Sequence, residues 1–206
     1  MKTNYQLLLD EELKRITASG HTPTLLLHSC CGPCSSYVLE YLSRYFAVTV
    51  LYYNPNIWPE SEFDLRAETQ KSLLASAEYV NPVNIIIPVY DGSEFTSVVR
   101  GLENEREGGT RCIKCFELRL EETAKRAKEE RFDYFTTTLS VSPHKNAEAL
   151  NTIGLAMGKK YGVSYLCADF KKREGYKRSI ELSKQYGLYR QNYCGCEFSA
   201  PKAEEA

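Results

Sequence analysis

The sequence has no apolar run approaching the roughly 20 residues of a membrane-spanning helix, so a helical membrane protein is excluded and a soluble one is expected. The opening segment "MKTNYQLLLDEELKRI" lacks the long apolar stretch and small-residue cleavage site of a secretory signal, and it reads as a short amphipathic helix. A cytoplasmic protein is therefore expected. Net charge is also missing, at -1 overall, which argues against a surface that binds polyanions wholesale. No repeat or low-complexity linker divides the chain. Its 206 residues suffice for one sizeable core, and the 43% hydrophobic and 26% charged composition is ordinary for a soluble globular protein. The expectation is one α/β domain over residues 1–198, followed by a disordered tail, 199–206.

Cysteine, by contrast, is abundant. A reducing compartment disfavours structural disulfides, which leaves metal binding or redox chemistry for the eight thiols. Seven fall into tight groups: Cys30, Cys31 and Cys34; Cys112 and Cys115; Cys194 and Cys196. Cys167 stands alone in "VSYLCADF" and reads as a small buried hydrophobe.

Apolar runs rich in β-branched and aromatic residues recur at 24–29, 48–53, 83–90, 134–140 and 163–169, separated by helical patterns at 34–45, 60–79, 115–131, 143–161 and 178–186. This alternation predicts a three-layer α/β sandwich around a mainly parallel sheet of about five strands. Such sheets bind ligands outside the carboxyl ends of their strands, and the motifs "HSCCGPCSS", "YNPNIWP", "YDGSEF" and "SVSPHKN" each follow a strand. In the last, Ser142 can cap a helix that has Pro143 at its first position. That helix start either receives a phosphate or is an ordinary capped end.

At the end of the first strand, Gly32 and Pro33 supply a turn that lets Cys30 and Cys31 face one cavity. Cys112 and Cys115 precede "FELRLEETAKRAKEE", and thiols at a helix N-terminus are expected to have depressed pKa values. Four thiolates make either a closed zinc site or an iron–sulfur cluster; seven clustered cysteines exceed one zinc site, which favours iron. Thioredoxin-like exchange would use one pair and leave the others unexplained. "YCGC" has one residue between its thiols, so a disulfide there would be strained and reducible; the pair reads as redox-active or metal-ligating.

Charge is unevenly placed. Residues 1–169 hold 18 Lys and Arg against 22 Asp and Glu, whereas residues 170–196 hold 7 against 2. There Lys171, Lys172, Arg173, Lys177, Arg178 and Arg190 interleave with Tyr176, Tyr186, Tyr189 and Tyr193. Cations hold phosphates and rings stack on unpaired bases, so the pattern suits a folded RNA with a splayed loop; a solvated basic helix is the alternative.

From "LLLHSCCGPC" through "YNPNI", "EGGTRCIKCFELRL" and "FTTTLSVSPHKNAEALNTIG" to "DFKKREGYKRSIELSKQYGLYRQNYCGC", nearly the whole chain resembles the cobalamin-independent epoxyqueuosine reductases, the QueH family. The resemblance implies an adenine-nucleotide hydrolase-like (HUP-like) fold. It also implies two-electron reduction of epoxyqueuosine to queuosine at the wobble position of tRNA, the oxygen leaving as water. The family's motifs match at Cys30, Cys31, Cys112 and Cys115, the assignment for a [4Fe-4S] cluster. They match again at Cys194 and Cys196, assigned as a redox-active disulfide pair or as ligands of an adjacent mononuclear iron, with zinc as an alternative in isolated protein. Some members carry Asp in place of Cys34, so Cys34 is a further candidate ligand. Candidate proton donors are Asp91, Tyr90, His28 and Asp169, with Asp91 first; His28 also reads as a core residue. RNA contacts are expected from Lys171, Lys172, Arg173, Tyr176, Lys177, Arg178, Tyr189 and Arg190, and electrons from an external ferredoxin or flavodoxin.

Two rivals stand beside this reading. An ATP-dependent tRNA thiolase of the pyrophosphatase type shares the fold, but it needs a Gly-rich "SGGxDS"-type loop where this chain has "SCCGPCSS". A zinc-stabilised RNA-binding module would hold metal without turnover.

Overall fold

In the computed structural model, which describes residues 3–200, the apolar runs form strands β1 (Thr24–His28), β2 (Ala47–Leu51), β3 (Val83–Ile86), β4 (Tyr134–Thr137) and β5 (Ser164–Tyr165). Every neighbouring pair is parallel, in the order β3-β2-β1-β4-β5. Consecutive Leu25, Leu26 and Leu27 are all fully buried, as a central parallel strand covered on both faces requires. On one face, Leu25, Leu27, Val48 and Val50 pack against α1 (Tyr5–Ser19), α2 (Gly32–Leu42) and α3 (Glu60–Ser76). On the other, Leu26, Leu51 and Phe135 pack against α5 (Thr110–Glu129) and α6 (Ala147–Tyr161), with α4 (Gly92–Val98) beside α5. The α/β three-layer arrangement agrees with the sequence pattern. Among the described residues no helix is long and apolar enough to cross a membrane.

A last helix, α7 (Gly175–Gln185), lies against α2. The approach is close enough that a Cβ at Gly175 would overlap the Phe170 carbonyl and the Tyr37 ring.

Several boundaries differ from the pattern. The run 163–169 shrinks to two residues because β5 is an edge strand with a single neighbour, although Leu166 N–H still bonds the Phe135 carbonyl at 2.9 Å. The expected helix at 143–161 starts at Ala147. Thr138–Val141 instead forms a 3-10 turn, and Asn146 is the true cap, its Oδ1 accepting from Glu148 N–H at 3.0 Å and Ala149 N–H at 3.2 Å. Ser142 and Pro143 therefore sit in a turn, and the helix start they were expected to form does not exist. Helix α4 falls in "YDGSEF", where the apolar pattern gave no helix. Of the tail expected as disordered, Ser199 closes a 3-10 turn over Glu197–Ser199, and 201–206 lie outside the described residues.

The strand order reverses between β1 and β4: from β1 the chain proceeds outward through β2 and β3, then returns to the other side. The loops that leave β1 and β4 diverge there, opening a crevice.

Candidate metal centre

The crevice is a cavity of about 600 Å³. Its thiol wall is formed by Cys30, in the loop after β1, and Cys34, in the first turn of α2, with Cys31, the residue capping α2, buried beside them. The Sγ atoms of Cys30, Cys31 and Cys34 all lie within 4.8 Å of one another, and those of Cys30 and Cys31 are 3.7 Å apart. Two thiolates on one tetrahedral ion with bonds near 2.3 Å stand about 3.8 Å apart, so this triad is spaced to hold a metal ion.

The turn is fixed from beneath. Ser29 Oγ and Ser35 Oγ both donate to Gln70 Oε1, at 2.7 and 2.8 Å, and Asn54 Nδ2 donates to the Ser29 carbonyl at 2.8 Å. Cys30 N–H donates to Thr138 Oγ1 at 3.3 Å, tying the loop after β1 to the one after β4. Hydrogen bonds from the Cys31 and Cys34 thiols hold Cys30 well below the usual thiol range despite its burial, while Cys31 is pushed up to about 12 by its neighbour.

His28, just before the triad, is fully buried. Its Nε2–H meets the Tyr53 carbonyl at 3.1 Å, which can only accept, leaving Nδ1 to accept from Thr137 Oγ1 at 2.9 Å. Burial, reinforced by Arg119, lowers its pKa to about 3, so it stays neutral. It is a satisfied core residue.

Helix α5 brings the second group. It begins at Thr110, so Cys112 and Cys115 lie in its first two turns; Cys112 Sγ accepts from Gly108 N–H at 3.2 Å. At Cys115 the expected depression is reversed, because burial raises the thiol more than the nearby Arg119 lowers it.

The third group is the turn Cys194–Gly195–Cys196. Gly195 has φ +104, and a Cβ there would lie 2.8 Å from Arg66 Nη1 and 3.1 Å from Ile57 Cγ1. Its carbonyl accepts from Trp58 N–H at 2.8 Å, while the Cys194 carbonyl accepts from Arg66 Nη1 at 3.1 Å. Lys145 Nζ donates to Cys194 Sγ at 2.9 Å. Burial alone would lower the Lys145 pKa, but Cys194 outweighs it and the net shift is upward. Cys196 is buried, and that burial pushes it up to about 11. All eight cysteines are free, and Cys167 lies apart from the cavity.

The proton donors expected from sequence lie elsewhere. Asp91 is exposed and its carboxylate caps α4, accepting from Ser93 N–H at 2.9 Å; the structure does not bring it to the cavity. Tyr90 donates to the Ile57 carbonyl at 2.7 Å, and Asp169 pairs with Lys171 at 2.7 Å. Of the basic segment, Tyr176 and Arg190 line the cavity, and Lys172 is exposed. Arg178 is bound by Glu40 at 2.6 Å, Arg173 by Asp10 at 2.5 Å and Lys177 by Glu174 at 3.5 Å; Tyr189 donates to Glu62 at 3.1 Å.

Sequence reasoning missed Arg66, Arg119 and Lys145, which all line the cavity. For the arginines a signal existed. Arg66 shares the buried stripe of Phe63, Ala67, Gln70 and Leu73, and Arg119 that of Cys115, Phe116, Leu120 and Thr123. A cation on an apolar helix face is buried with a task. Lys145 lies in a turn and had no such periodicity.

The profile of the family described as "Epoxyqueuosine reductase QueH" matches residues 25–202. Among relatives bearing that same description, one from Streptococcus pyogenes is 42% identical over 97% of this chain and 79% of its own. One from Staphylococcus epidermidis is 41% identical over 98% of this chain and 86% of its own, and one from Thermotoga maritima 35% over 88% and 93%.

Proposed function

The chain belongs to the epoxyqueuosine reductase QueH family, and from that premise we propose that it reduces epoxyqueuosine to queuosine at the wobble position of a tRNA. The observation that carries the reading is a single cavity with thiols from two groups, Cys30, Cys34 and Cys194, on one wall and with Lys145, Tyr176 and Arg190 around it. Removing the epoxide oxygen as water takes two electrons and two protons, and this cavity offers sulfur ligands for a redox centre beside proton-bearing cations.

Cys30, Cys31, Cys112 and Cys115 would hold a [4Fe-4S] cluster, which when bound supplies low-potential electrons. Cys194 and Cys196, with Cys34 nearby, serve as a redox pair or as ligands of a second ion. The donor set suits either role, being soft thiols: Cys30, Cys34 and Cys194 line the cavity, Cys112 packs on the same apolar cluster as Cys30, and Cys115 on the same cluster as Cys196.

Lys145 holds the proton that the leaving oxygen takes up, since its ammonium lines the cavity and Asp91 does not. Tyr176 offers a face for an extruded base, and Arg190 and the exposed Lys172 meet phosphates. Electrons come from an external donor of the ferredoxin or flavodoxin type. The thiolase alternative is disfavoured because thiols occupy the place of its Gly-rich loop.

The test is anaerobic reconstitution with iron and sulfide, followed by incubation with epoxyqueuosine-containing tRNA and a chemical reductant. Conversion to queuosine, lost in Cys112→Ser, is expected. An iron-loaded, reducible protein that binds this tRNA and leaves the epoxide intact would overturn the reading.

A further inference from the structure

Arg119 is only 2% exposed, yet it has no carboxylate partner among the described residues. Its Nε donates to the Cys115 carbonyl at 3.3 Å and Nη1 to Asn54 Oδ1 at 3.4 Å, both long, and Nη2 is buried with no partner at all. The other buried arginines of this region also leave one nitrogen each unpaired, Arg66 Nη2 and Arg111 Nε, but have firmer partners. Arg66 is paired with Glu62 at 2.7 Å, and Arg111 Nη1 donates to the carbonyls of Leu102, Glu103 and Glu105. A buried guanidinium without a countercharge is costly to keep, so something anionic is expected to face it. Arg119 lines the cavity with Cys30, Cys34 and Cys194, and Cys115 stands one turn before it on α5; thiols of all three groups are the charges that act on it.

We propose that Arg119 is the built-in countercharge of the metal–thiolate centre, directing its free Nη2–H at sulfur and making the centre easier to reduce. The inference rests on the metal-centre part of the proposed function. Adding an electron makes a thiolate-bound centre more negative; a fixed buried cation stabilises that state more than the oxidised one, which raises the reduction potential. Arg119 is thus a positioning residue, acting on the substrate only through the centre.

The experiment is a redox titration of the reconstituted enzyme, followed by EPR, comparing wild type with Arg119→Gln and Arg119→Lys. Arg119→Gln is expected to lower the electron-uptake equilibrium about tenfold or more, a shift of about 59 mV for one electron, with Arg119→Lys in between. A normally loaded Arg119→Gln protein with the wild-type midpoint overturns the proposal. Should Arg119→Gln fail to hold the centre, pulsed EPR of reduced wild-type protein carrying ¹⁵N-labelled arginine decides: a guanidinium nitrogen coupling is expected, and its absence overturns the proposal. Neither readout involves epoxyqueuosine, so failure of the proposed substrate and failure of Arg119's role are seen separately.

Discussion

Gly195 sets Cys194 and Cys196 in a turn that a side chain would strain twice over, through its positive φ and through contact with Arg66. Gly195→Ala should cost about 1–3 kcal/mol in urea denaturation and reduce turnover with it, because both thiols are carried by that turn. Lys145 poses a different kind of test. Its removal leaves the sheet untouched, so Lys145→Gln is expected to slow single-turnover conversion about 100-fold or more while tRNA affinity in filter binding changes little. A matching loss of affinity would make Lys145 an RNA anchor and not a proton carrier.

At the scale of elements, the segment between β4 and α6 carries Lys145 and is held by the Asn146 cap. Asn146→Ala should lower stability by about 1 kcal/mol, read from the denaturation midpoint. The loop after β2 offers a direct probe. Trp58 is the chain's single tryptophan, is 53% exposed, and has its backbone pinned by Gly195 and by Tyr193 Oη, which donates to its carbonyl at 3.0 Å. An anticodon stem-loop docking at the adjacent cavity should quench its fluorescence; saturating binding with no quenching would move the RNA elsewhere. Much of this organisation was legible from sequence. Strand-end motifs, cysteine groups and a parallel sheet followed from alternation and spacing. The start of α6 was not, since Ser142–Pro143 and Asn146 both carry a helix-start signature and only the 3-10 turn after β4 decides between them. Nor was the fate of the basic segment, because Glu40 and Asp10, which bind Arg178 and Arg173, are remote in sequence.

For the molecule as a whole, the apolar clusters on the two faces of the sheet are built largely without the thiols. Chelation under reducing conditions should therefore leave helical circular dichroism and cooperative unfolding in place, with a Tm only a few degrees lower. Collapse on metal removal would mark the centre as structural, as in small zinc domains. The parallel sheet covered on both faces was foreseeable for the same reason: its core depends on leucine and valine patterning. Of the buried cations, Arg66 and Arg119 carried a signal in the apolar faces of their helices, whereas Lys145, in a turn, carried none. The turn of Cys194 and Cys196, pinned by Arg66 and Trp58, also imposes an order of events on the ribosome. A nascent chain that has already folded Cys30, Cys31 and Cys34 onto β1 still lacks these last thiols, which follow all five strands. On the proposed assignment the four thiols that would hold the cluster are all made once α5 has emerged, whereas the pair at Cys194 and Cys196 comes last, so whatever that pair does belongs to the completed chain.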